Sequence, residues 1–224
     1  MKSVRNLGVI IDGNLCFREQ IKILKKQIVG NLVNISRISK FVDKPSKLKL
    51  VHNLVLSKLD FCNFIYYNLP NVDLRSLQLL INNAVRIVSG VPRFSRNRVT
   101  PLSISLHILP LKARIEFKIC LLTYKALTYK HPFYIKNLLS YHEHRRELPL
   151  RGDFSGKLLE PVFSRYAYSD RCFSSCAPRL YNLLPHEIRN APSLNSFKVL
   201  LKTYLFCKAY DLDTLRVNSE YCAT

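Results

Sequence analysis

The chain has no tryptophan, one methionine and only 6 glycines in 224 residues. So few glycines exclude a collagen-like or glycine-rich low-complexity chain, and none are grouped as in a phosphate-cradling loop. Acids are scarce as well: 15 Asp and Glu stand against 35 Lys and Arg, a formal charge of +20. No run of about 18 apolar residues exists, so nothing reads as a membrane-spanning helix. Met1-Lys2-Ser3-Val4-Arg5 leads only into the short apolar run Leu7 to Ile11, too brief for a secretory leader. The 7 cysteines are odd in number and scattered through apolar segments, as expected of small reduced hydrophobes. The expectation is an intracellular protein of the nucleus or cytoplasm.

What is present points to a folded, polyanion-seeking chain. A hydrophobic content of 48% suits a buried core. The positive field favours nucleic acid over anionic membrane. Residues 1–90 carry 14 basic against 5 acidic side chains, residues 91–151 carry 12 against 3, and residues 152–224 carry 9 against 7. A polyanion would therefore sit on the first two-thirds.

Periodicity predicts a mainly α protein. Leu7 to Asp12 reads as one short strand with no evident partner, and that orphan state predicts poor pairing and a natural N-terminus further upstream. Phe17, Ile21, Leu24, Ile28, Leu32, Ile35 and Ile38 form one helical stripe. Asp43 and Pro45 start a second helix, with Leu48, Val51, Leu54, Val55, Leu59 and Cys62 on its inner face. A third runs from about Asp73 through Val88 to Gly90, which is placed to cap it. Residues 90–101 form a basic linker. A fourth helix follows Pro110, a short piece follows Pro132, and residues 141–176 read as loops with a small hairpin near 150–175. Pro178 to Leu184 and a helix after Ser193 complete the pattern. The domain reading is 1–90, 91–210 and a frayed tail at 211–224.

Candidate chemistry is thin. Tyr210-Asp211-Leu212-Asp213 imitates a polymerase metal motif, but its carboxylates flank a leucine at a helix end and do not converge as Mg²⁺ requires. Cys172 and Cys176, with His142 and His144 upstream, have an allowed zinc spacing; the stronger reading is structural. The basic faces carry more. Lys22, Lys25 and Lys26 share one side of the first helix. Arg86 closes the third. Arg93, Arg96 and Arg98 cluster around Phe94, a ring suited to stacking on a base. Lys112, Arg114 and Lys118 read as the outer side of the fourth helix. Contacts of this kind grip a backbone without reading sequence.

Several phrases go beyond composition. Ser57-Lys58-Leu59-Asp60-Phe61-Cys62-Asn63, with Asn68-Leu69-Pro70, resembles the "SRLDYCN…GLP" stretch of jockey-like, LINE-type non-LTR retrotransposon reverse transcriptases. Leu77-Gln78 through Asn82-Asn83-Ala84-Val85-Arg86 is similar to their "LQ…QNAAAR" helix. Thr100-Pro101, Leu106-His107-Ile108-Leu109-Pro110 and Arg114-Ile115-Glu116-Phe117-Lys118 resemble "TP…LHWLP…RI.FK". Asp170-Arg171-Cys172-Phe173-Ser174, Ala177-Pro178-Arg179-Leu180-Tyr181-Asn182 and Phe197-Lys198 to Phe206 resemble the closing signature. Two family tryptophans are Ile108 and Tyr181 here.

The resemblance implies a helical thumb bundle and a helical C-terminal domain, preceded by the last strand of a palm that lies elsewhere. It implies an RNA or RNA/DNA hybrid as partner, together with the remainder of the polymerase, and no small-molecule substrate or cofactor of its own. The Tyr-x-Asp-Asp site and its Mg²⁺ would belong to that palm, so the chain would not be an enzyme by itself. The alternatives are a domesticated helical adaptor that binds protein, or a non-functional remnant of a transposable element.

Overall fold

Two short strands, β1 (Ser3–Asn6) and β2 (Val9–Asp12), open the chain as an antiparallel hairpin. The turn between them is Leu7-Gly8, both with positive φ, at 46° and 87°. That is the backbone sign a two-residue hairpin turn demands, and glycine meets it at no steric cost. The expected orphan strand over 7–12 is thus corrected: Ser3–Asn6 is its partner and Leu7 belongs to the turn. β1 is exposed along its whole length, so no alternation of apolar residues announced it. The Gln20 side chain accepts the Ile10 amide at 2.9 Å and ties the hairpin to the helix that follows.

The computed structural model describes residues 3–92, 95–141, 157–161 and 169–212 and is mainly helical. Arg93, Phe94, His142, His144, Asp213 and most of the hairpin expected near 150–175 lie outside the described residues. The chain divides into two compact units, Met1–Ile115 with Phe206–Thr224, and Glu116–Leu205.

In the first unit, α1 (Arg18–Ile38) buries Ile21, Leu24, Ile28, Leu32 and Ile35, while Ile38 stays 44% exposed. α2 (Lys44–Val51) starts where Asp43 accepts the Ser46 amide, a helix cap of the expected kind. A π-helical stretch, His52–Leu56, links it to α3 (Ser57–Asp60), and the Ser57 amide bonds the His52 carbonyl across the wider turn. The residue added by that turn rotates the inner face. Val55, Leu56 and Leu59 are buried, whereas Leu54, expected inside, is 40% exposed. A 3-10 turn, Asn63–Tyr66, sets Tyr66 edge-on against Phe17 at 6.5 Å.

Next, α4 (Asn71–Ser89) buries Leu77, Leu80, Ile81, Ala84, Val85 and Val88. Each such side chain contributes about 1.5–3 kcal/mol by leaving water. Gly90 at φ 68° ends the helix, and the Val91 amide reaches back to the Arg86 carbonyl at 3.0 Å. A short α5 (Val99–Ser105) takes in the end of the expected linker over 90–101 and precedes α6 (Leu111–Tyr129). Gln78 accepts the Leu111 amide at 2.7 Å and donates to Asn82 at 2.9 Å, so α4 holds the first turn of α6.

The second unit contains the rest of α6, α7 (Phe133–Lys136), a single antiparallel bridge Tyr141–Leu158, α8 (Phe173–Asn182), α9 (His186–Arg189) and most of α10 (Leu194–Tyr210). α8 begins five residues before the expected Pro178, which instead lies inside it. The opening Ser174-Ser175-Cys176-Ala177 has no apolar period to mark a helix. Asn182 pins Leu158 as a strand neighbour would, donating to its carbonyl at 2.9 Å and accepting its amide at 2.8 Å. Tyr124 stacks on Phe197 at 4.1 Å and donates to the Ala191 carbonyl at 2.8 Å. Burial pushes the Cys176 thiol up to about 12, so this cysteine behaves as a core hydrophobe. The final turns of α10 return to the first unit, where Phe206 stacks on His107 at 5.7 Å and the Tyr210 hydroxyl donates to the Ile108 carbonyl at 2.6 Å.

Candidate nucleic-acid interface

The face of α1 opposite its apolar stripe is where the helix meets solvent. Lys22 and Lys26 are exposed there, and Lys25 is half-buried at its edge. Spacings of three and four residues put all three on one side. No carboxylate engages them among the described residues. Arg37, also exposed, extends the same side by helical spacing, and Lys40 follows just past the end of the helix.

The entrance to α1 is held by Asp12. Its two oxygens accept the amides of Asn14 at 3.1 Å, Cys16 at 2.9 Å and Phe17 at 2.6 Å. These bonds, led by that from Cys16, hold the Asp12 carboxyl below its usual value. Asp12 therefore anchors the helix that bears the lysines.

Arg86 lies on α4 with its guanidinium turned to a loop. It donates to the Asn97 carbonyl at 2.8 Å and to the Pro92 carbonyl at 3.4 Å. Arg86 is thus a brace more than a free cation, and what it braces is Asn97, flanked by the exposed Arg96 and Arg98. The placement of Arg93 and Phe94 is outside the described residues.

Arg114 is not the outward phosphate ligand that the wheel of α6 suggested. Its Nε donates to Asp60 Oδ1 at 2.8 Å in a two-pronged ion pair, with 13% of the arginine side chain and 35% of the aspartate's exposed. Asn63 sits beside them, 1% exposed, donating toward Asp60 and the Arg114 carbonyl at 3.4 Å. A guanidinium held this way is structural. Lys112 is exposed, whereas Lys118, assigned to the second unit, is half-buried.

Between α1 and α4 runs a groove of about 600 Å³. Lys25 stands on one wall and Arg86 on the other, and no acidic residue lines it among the described residues. Its floor is aliphatic, and no periodic signal marks it, because Val29, Val33 and Leu79 lie off the buried stripes of α1 and α4. Lys25 of α1 and the start of the arginine-braced loop thus border one feature of the first unit. Among the described residues, no group of three or more His, Cys, Asp or Glu side chains is placed to hold a metal ion, and no helix is long and apolar enough to cross a membrane. No family model, curated protein or solved structure matches the chain.

Proposed function

We propose that this chain grips nucleic acid by its phosphate backbone, as the non-catalytic thumb and C-terminal portion of a LINE-type reverse transcriptase whose polymerising palm lies elsewhere. The observation that carries the reading is the lysine face of α1, which no carboxylate engages among the described residues and whose Lys25 lines one groove with Arg86, the brace of the loop between Arg96 and Arg98. Lysines on a solvated helix face contact phosphates as flexible point charges, which suits binding indifferent to sequence.

The family-like phrases support the same reading in a second way. Asp60 and Asn63 of one phrase meet Arg114 of another, Gln78 bonds Leu111, and Asn182 pins Leu158. Several polar residues of the phrases thus make long-range bonds, as expected if they preserve a common scaffold. The chemistry of nucleotide addition, with its Mg²⁺, would reside in the palm.

The test is binding of the full chain to a labelled RNA/DNA hybrid, followed by fluorescence anisotropy as salt rises. With five or six phosphate contacts, affinity should fall by roughly a thousandfold between about 50 and 200 mM salt, and scrambling the hybrid's sequence should change it little. Affinity that does not respond to salt would sink the reading.

A further inference from the structure

The groove between α1 and α4 has a chemistry of its own. Its walls expose Val29 at 47%, Val33 at 43% and Leu79 at 52%, and Ile87 and Val91 continue the apolar lining. Aliphatic side chains this open lose free energy to water, and a contiguous set of them marks a contact surface. Among the described residues, the charged ones that line it are Lys25 and Arg86. Its extent along α1, from Lys25 to Ser39, corresponds to about 20 Å of helix.

We infer that this groove seats an amphipathic helix of a partner protein, with leucine-like residues against the aliphatic floor and glutamates or aspartates facing Lys25 and Arg86. Its described floor is aliphatic, which leucine-like side chains match. A second copy of this chain is a poor occupant, because each carries +20 and like fields repel. An acidic helix satisfies both halves of the lining, in the mode where anchors three and four residues apart fill a hydrophobic groove. The two readings share Lys25 but not the aliphatic floor, so substitutions in the floor tell them apart.

The probe is a labelled 16-residue helical peptide with leucines at three- and four-residue spacing and glutamates on the flanks. Two controls replace its glutamates by lysines, or its leucines by serines. The full chain should bind the acidic leucine peptide saturably with Kd of about 10–100 μM, and both controls at least about tenfold more weakly. Val33→Asn with Leu79→Asn, both at half-exposed positions, should weaken the peptide about tenfold and leave hybrid affinity within about twofold. Lys25→Gln, which leaves the floor intact, should weaken the acidic peptide about threefold and spare a version with glutamine for glutamate. No saturable binding, equal binding of the lysine control, or indifference to both variants would overturn the inference. So would an equal loss of hybrid affinity in the double variant, which would hand the groove to nucleic acid, or a dimer that the double variant abolishes.

Discussion

Helices α1 and α6 are nearly equal in length and both carry several cations, yet they use them differently. α1 buries one stripe and leaves the opposite side to water, so Lys22 and Lys26 stay exposed. α6 buries Leu111, Ala113, Ile115, Glu116, Ile119, Cys120, Thr123, Tyr124 and Ala126, which cover most of its circumference. Its Arg114 is consumed by Asp60, and Lys118 and Lys125 are half-buried. A helical wheel reports the angle of a charge but not how many neighbours surround the helix. Availability for phosphate follows from the second quantity.

The largest effect should come from the committed arginine. Asp60→Ala leaves a half-buried guanidinium without its partner and should lower stability by about 2–3 kcal/mol, somewhat less than for a fully buried pair. The midpoint of urea unfolding reads this, while hybrid affinity of the folded chain should change less than about twofold. Unchanged stability would put Arg114 back among the free cations and erase the contrast.

The complementary test removes the free ones. Replacing Lys22, Lys25 and Lys26 by glutamine should weaken hybrid binding about ten- to thirtyfold, and reduce the slope of log affinity against log salt by roughly 2.7. Lys118→Gln alone should have an effect below about twofold. Equal losses from the two helices would break the comparison.

The smallest effect sharpens it from the side of α1. Asp12→Ala should cost about 1 kcal/mol at neutral pH, as loss of a helix-entry cap does. The folded-state pKa of Asp12 lies below its ordinary 3.8, so its charged form stabilises the fold above that value and the contribution fades as pH falls through the folded pKa. Unfolding midpoints of the two proteins should therefore converge below about pH 4. A gap that stayed constant with pH would show that Asp12 acts otherwise.

Much of the helical layout was legible because its signals are local. The stripe of α1, the Asp43 cap, the Gly90 terminator and the start after Ser193 depend on residues within a turn or two of each other. The failures share a different cause. β1 is too polar to alternate, the π-helical turn inserts a residue that no period foresees, and α8 follows its opening Phe173 with four small side chains. The site divides in the same way. Lysine spacing on α1 was readable, but the ion pair of Arg114 spans 54 positions and the brace from Arg86 depends on how a loop folds back. Pairings of that reach leave no periodic trace.

The contacts of Phe206 and Tyr210 with His107 and Ile108 bear on the order in which the protein can be assembled. A ribosome delivers residues 116–205 before it delivers the last turns of α10, so the inserted unit is complete while the first still lacks its closing piece. Nascent units fold as soon as their own residues have emerged. The lysine-bearing helix packs on β2, α2, α3 and α4, all delivered before the insert, so only the His107–Ile108 corner of the first unit waits for the returning chain.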